Sequence, residues 1–203
     1  RVSEDIGRSR VIQSARRLGI TAALTPHPSI ALGAGEVTPL ELTAAYAVFA
    51  NGGFAVEPYG VTEVRQGGEV LFRRPARAPR RVIEADAAAH LTEMLRAVVE
   101  WGTGRAAKID RPASGKSGTS QDFRDAWFVG YAGDLVVTVW VGNDDNSPTR
   151  RITGSSIPAR IWKDFMSAPP AAAVARPAPP RAPEAPRPVR ERIDPTFVDQ
   201  QTD

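Results

Sequence analysis

The sequence contains no cysteine, two histidines, three lysines and no apolar stretch of membrane-crossing length. Without cysteine, disulfides and thiolate metal sites are excluded, although the compartment stays open because exported proteins also lack them. His27 sits in a loop between prolines and His90 falls on a predicted helix. Neither has a partner histidine at ligand spacing, so no metal is expected. Gly33 to Gly35 lack the third glycine of a dinucleotide fingerprint, and the acidic run from Gly142 to Asn146 lacks the later Gly and Glu of a calcium loop. No cofactor is expected. The longest apolar run, Leu135 to Val141, is strand-sized and far short of the roughly 20 residues that cross a bilayer. There is no signal peptide and the chain opens on Arg1 rather than Met, so a fragment or processed product is expected.

Charge is modest overall, at +3, but uneven. The run Arg73 to Arg81, "RRPARAPRR", is broken by prolines and carries no aromatic for base stacking. It reads as a solvated loop, and no nucleic-acid partner is expected. From Ser167 to Arg190 the composition turns to Pro, Ala and Arg, with eight prolines between 169 and 188. Such a segment buries too little apolar area to offset its ordering entropy, so residues 167–203 are expected to be a disordered tail, dispensable for the fold of 1–166.

Between these limits the sequence reads as alternating helices and short strands. Val11 to Leu18 looks helical, with Gly19 as its stop. Thr38, Pro39 and Glu41 write a capping box before a helix whose apolar face is Leu42, Ala45, Tyr46 and Phe49. Stretches 61–65 and 69–73 flank "QGG" as a hairpin. A helix over 84–101 presents Leu91, Met94, Leu95 and Val98. Three strands follow, over 114–121, 125–132 and 135–141. A last helix over 157–166 offers Ile161, Trp162 and Phe165 to a sheet.

The chemistry concentrates in Gly115 to Ser120, "GKSGTS". With 23 arginines among the 26 basic residues, the default cation is arginine, yet here a lysine stands. A compact ammonium tunes or shuttles a proton as a guanidinium does not. On a strand, the Ser117 and Thr119 hydroxyls share one side about 7 Å apart, while Lys116 and Ser120 project to the other. Gly118 admits the close approach of another backbone. An edge strand of this kind takes an extended peptide, with the hydroxyls and the lysine near its terminal carboxylate. The plainer reading is a solvated strand start with Lys116 as a surface charge.

Four blocks occur in order: "LGAGEVTPLELTAAYAVFANGG", "VVEWGTGRAA", "GKSGTSQDFRDAWFVGY" and "LVVTVWVGND". Together they resemble the C-terminal half of the transpeptidase domain of class A (bifunctional) penicillin-binding proteins, over roughly residues 1–166. The resemblance implies an α+β fold, a β-lactamase/transpeptidase-like antiparallel sheet flanked by helices and incomplete in this chain, and acyl transfer to and from a serine. It implies a periplasmic location, a parent anchored by a segment upstream, and a glycosyltransferase upstream. The implied partners are D-Ala-D-Ala stem peptides, β-lactams and cell-wall synthesis proteins. It implies that Lys116 and Thr119 are catalytic and that Ser117, Gly118, Thr119 and Ser120 line the substrate site, with the Thr119 N–H as an oxyanion donor. Ser117 stands where the family usually has Thr. The residues three before Lys108, Lys116 and Lys163 are Arg105, Ala113 and Arg160, so the family's Ser-x-x-Lys is absent; Ser-x-Asn is absent too. Both are expected upstream of Arg1. A D,D-carboxypeptidase or β-lactamase relative, and a non-enzymatic basic module for wall polymer or lipid, are the alternatives.

Overall fold

A computed structural model of the protein describes residues 1–168. The expected tail lies outside the described residues beyond Ala168. Helices α1 (Val2–Ile6), α2 (Arg8–Arg17) and α3 (Pro39–Ala50) lead into a hairpin of β1 (Glu63–Gln66) and β2 (Glu69–Arg73). Helix α4 (Ala85–Glu100) then precedes β3 (Ser114–Thr119), β4 (Asp125–Ala132), β5 (Leu135–Gly142) and α5 (Ile157–Ser167).

The local starts and stops follow residue chemistry. In the β1–β2 hairpin, Gly67 and Gly68 both take positive φ, 56° and 90°, as a two-residue turn matched to strand twist demands. At α3 the capping box is complete. Thr38 Oγ1 accepts from the Glu41 N–H at 3.2 Å, and the Thr38 N–H donates to Glu41 Oε2 at 3.1 Å. The other oxygen of Glu41 reaches back to the preceding loop. It accepts from the Thr21 N–H at 2.7 Å, the Thr21 hydroxyl at 2.5 Å and the Ala22 N–H at 3.1 Å.

These donors, the Thr21 hydroxyl first and then the backbone N–H groups of Thr38 and Thr21, hold the Glu41 carboxyl down to about 2. A depressed folded-state value means stability that is full above the ordinary value of 4.5 and is lost as pH falls toward 2. Glu41→Gln is therefore expected to lower the melting temperature at neutral pH, and the gap to the parent should close between pH 4.5 and 2. Melting curves across that window check it. A gap of constant size would show that the charge of Glu41 does not anchor the loop.

Strands β3, β4 and β5 form an antiparallel sheet in that order, so β3 is an edge strand among the described residues. Paired residues share a face. Ser117 opposes Phe128, which opposes Val139; Lys116 opposes Val129, which opposes Thr138. The Phe128 face receives α5, where Trp162 meets the Phe128 ring edge-on at 5.5 Å and donates Nε1–H to the Gly130 carbonyl at 3.3 Å. The other face receives α3 and α4, through Thr43 on Thr138 and Thr92 on Tyr131, at 2.7 and 2.8 Å. Val99, Ala107, Phe128, Ala159, Trp162 and Met166 fill the core beneath α5.

Three apolar faces differ from the sequence reading. Helix α4 buries Ala88, Leu95 and Val99 and leaves Met94 61% exposed. Helix α5 buries Pro158, Ala159, Trp162 and Met166 and leaves Ile161 and Phe165 exposed. One residue is about 100° round a helix, so choosing the wrong centre among adjacent apolar residues rotates the whole stripe. Helix α3 buries Ala44, Ala45 and Val48, while Leu42, Tyr46 and Phe49 are half-buried, because α4 and the sheet together cover most of its circumference.

Candidate functional site

The edge strand β3 gathers the chemistry. At its end the Ser120 N–H donates to the Asp125 carbonyl at 2.9 Å, so Ser120 points its backbone toward β4. Antiparallel pairing alternates, and the register from Ser114 to Thr119 has no bulge. The backbone groups of Ser117 and Thr119 therefore face the open edge. Their side chains stand on the Phe128 face, with that of Lys116 on the opposite one. The Lys116 ammonium nonetheless curls to the edge, where Nζ donates to the Ser117 carbonyl at 2.7 Å. It makes no ion pair with any described residue, so its charge is not neutralised locally.

Each of the two hydroxyls has a protein partner from outside the strand. Ser117 Oγ lies 2.8 Å from Thr103 Oγ1, in the loop that follows α4. Thr119 Oγ1 accepts the Gly154 N–H at 3.1 Å. Gly154 sits flat on the β3–β4 ladder. A Cβ there would lie 2.2 Å from the Trp127 carbonyl oxygen and 2.3 Å from that of Gly118. The glycine that this close backbone approach requires is thus Gly154. At Gly118 a Cβ would meet only Trp127 Cβ, at an ordinary 3.5 Å.

Ser120 belongs to the turn. Its hydroxyl donates to Asp125 Oδ2 at 2.9 Å and accepts the Asp125 N–H at 2.7 Å, while Trp140 Nε1–H donates to Asp125 Oδ1 at 2.9 Å. This lattice fixes the exit of β3 and hence the direction of Thr119. Lys116, Ser117 and Thr119 are together at one edge; Gly118 spaces them and Ser120 anchors them. Thr103 and Gly154 are additions that sequence reading missed. Thr103 lies in the "GTG" that follows α4 and Gly154 in "TGSS", and neither stretch carries a local signal of chemistry.

Two open concavities lie elsewhere, lined by residues between 21 and 41, with volumes of about 540 and 640 Å³. One contains a Ser–His contact, His27 Nδ1 to Ser29 Oγ at 2.7 Å. The Ser29 N–H also bonds that ring nitrogen, so His27 caps the short 3₁₀ turn Pro28–Leu32. That is local capping with no third group to orient the base, and it does not resemble an activated nucleophile. Among the described residues no His, Cys, Asp and Glu cluster has metal-site geometry, and no helix is long and apolar enough to cross a membrane.

An antiparallel sheet between helices thus carries an ammonium and two hydroxyls on its open edge strand. Residues 23–167 match the penicillin binding protein transpeptidase domain, and the chain belongs to that family. It is 41% identical over 166 residues to penicillin-binding protein 1A of Aquifex aeolicus, covering 80% of this chain and 23% of that protein. It is 34% identical over 171 residues to penicillin-binding protein 2D of Bacillus subtilis, covering 79% of this chain and 24% of the relative. The crystal structure of penicillin-binding protein 1A from Haemophilus influenzae superposes with a TM-score of 0.71 at 28% identity, over 83% of this chain and 32% of that one. PonA1 of Mycobacterium tuberculosis superposes at 0.72 and 27% identity, over 80% of this chain and 50% of that one. The chain thus spans about a quarter of the length of these curated relatives.

Proposed function

We propose that this chain supplies one wall of the active groove of a peptidoglycan D,D-transpeptidase, as the C-terminal part of a bifunctional cell-wall synthase. The observation that carries the reading is the open edge of β3, where an unpaired ammonium and the Ser117 and Thr119 hydroxyls lie beside outward-facing backbone groups. An extended peptide adds to such an edge through main-chain hydrogen bonds, and its terminal carboxylate meets the hydroxyls. The carboxylate is that of a D-Ala-D-Ala stem peptide, or of a β-lactam in its place. Lys116 supplies positive potential and organises the proton path. The Thr119 N–H is one of the donors aimed at the oxyanion that forms as a serine attacks the carbonyl. That serine, the lysine that activates it and the Ser-x-Asn group lie outside these 203 residues, because the sequence holds neither motif. The groove faces the extracytoplasmic side of the bacterial membrane, and the anchor and glycosyltransferase belong to the rest of the protein. Residues 1–166 form the transpeptidase portion and 167–203 an appended tail.

The basic-module alternative loses ground on the structure. Arg74 and Arg77 pair with Glu57, and Arg73 pairs with Glu63. Arg81 donates to the carbonyls of Gly52 and Ile83. Two carboxylates, Glu63 being shared with Arg65, thus offset part of the run's charge.

The test is intact mass after incubation with excess penicillin. Residues 1–203 alone are expected to stay at their own mass, while the full-length protein gains one penicillin. A stoichiometric adduct on the short chain would overturn the assignment, since its nucleophile would then lie within these residues.

A further inference from the structure

We propose that Thr103 is a positioning residue for recognition of the substrate carboxylate, acting through the hydroxyl of Ser117. The inference rests on the reading of β3 as a carboxylate-binding wall and extends that wall to a residue 14 positions upstream of Ser117.

Thr103 is exposed, and its Oγ1 lies 2.8 Å from Ser117 Oγ. It is not there by loop drift. The flanking glycines are clamped: the N–H groups of Gly102 and Gly104 both donate to the Val98 carbonyl, at 3.1 and 2.9 Å. A Cβ on Gly102 would lie 2.9 Å from Val98 Cα. One on Gly104 would lie 3.1 Å from the Val98 carbonyl oxygen and 3.3 Å from the Phe128 ring. Phe128 is the register partner of Ser117, so one side chain seats both the loop and the strand position it serves.

Counting hydrogens gives the role. Two hydroxyls carry two hydrogens, and one of them spans the gap between the oxygens. If an anion takes the hydrogen of Ser117, the spanning hydrogen is that of Thr103. Thr103 then donates to Ser117, and Ser117 donates onward, more strongly for being polarised from behind. Thr119 is arranged likewise, since the Gly154 N–H occupies an acceptor position of its oxygen and leaves its hydrogen for the groove. Both hydroxyls are thereby biased to donate. A carboxylate only accepts and fits such a pair; a carboxamide, whose NH₂ must donate, does not. Thr103 therefore contributes to the selection of a free terminal carboxylate over its amide.

The experiment compares Thr103→Val, Thr103→Ser and Ser117→Ala in the full-length protein. The probes are a D-Ala-D-Ala peptide and its C-terminal carboxamide, with KM and kcat measured separately. Thr103→Val is expected to raise KM for the carboxylate peptide about fivefold, the scale of one hydrogen bond between neutral groups. It should leave kcat and the melting temperature close to the parent values. The preference for carboxylate over carboxamide should fall by the same factor, and Thr103→Ser should restore both. If Ser117→Ala is impaired while Thr103→Val matches the parent, the inference falls and the wall reading stands. If Ser117→Ala also matches the parent, the wall reading itself falls. Equal losses on both peptides together with a lower melting temperature would make Thr103 merely structural and overturn the proposal.

Discussion

Changing Lys116 to alanine in the full-length protein is expected to slow acylation by a fluorescent penicillin by about a hundredfold or more. That is the scale of removing an electrostatic group aimed at developing charge. The fold should hardly notice. Lys116 is exposed, makes no ion pair among the described residues and reaches only the neighbouring Ser117 carbonyl, so the stability change should stay within about 0.5 kcal/mol. Lys116→Arg is expected to recover little of the rate, because a planar guanidinium neither matches the point charge of an ammonium nor gives up a proton. Rapid labelling together with a thermal melt separates the two effects. Labelling at the parental rate by the alanine variant would reduce Lys116 to a surface charge.

The largest expected loss of stability comes from the other face of the sheet. Trp162→Ala removes a side chain with no solvent exposure from the centre of the core. It leaves a cavity against Phe128, strips the Gly130 carbonyl of its Nε1–H donor and should cost about 3–5 kcal/mol. The fit is close: a Cβ on Gly130 would already lie 3.2 Å from Trp162 Cε2. Phe165, three positions along and 60% exposed, serves as the control, with Phe165→Ala expected to fall within about 0.5 kcal/mol. Denaturant titration followed by circular dichroism compares them. Similar costs for both would mean that the stripe of α5 had been assigned to the wrong centre.

That stripe marks where reading from sequence alone stops. The capping box at α3 was legible because Thr38 and Glu41 meet within one turn, and the hairpin because two adjacent glycines take positive φ. Strand boundaries near "GKSGTS" were legible to within a residue or two. The buried faces of α4 and α5 were not, since Met94 beside Leu95 and Ile161 beside Trp162 are equally apolar in sequence and differ only in which one meets the sheet. Lys116 stood out because it is a rare lysine in an arginine-rich chain. Thr103 and Gly154 did not, because their partners Ser117 and Thr119 lie 14 and 35 residues away and no local pattern announces such contacts. Half of Glu41's role was hidden for the same reason, as its second oxygen serves Thr21, 20 residues earlier.

A crystal structure of the full-length protein acylated by penicillin tests the central claim most directly. The antibiotic's carboxylate is expected within about 2.5–3.0 Å of Ser117 Oγ and Thr119 Oγ1. The acyl oxygen is expected at the Thr119 N–H, and the ester bond on a serine outside residues 1–203. A carboxylate held away from β3, or an ester on Ser117, Ser120 or any other serine of this chain, would contradict it.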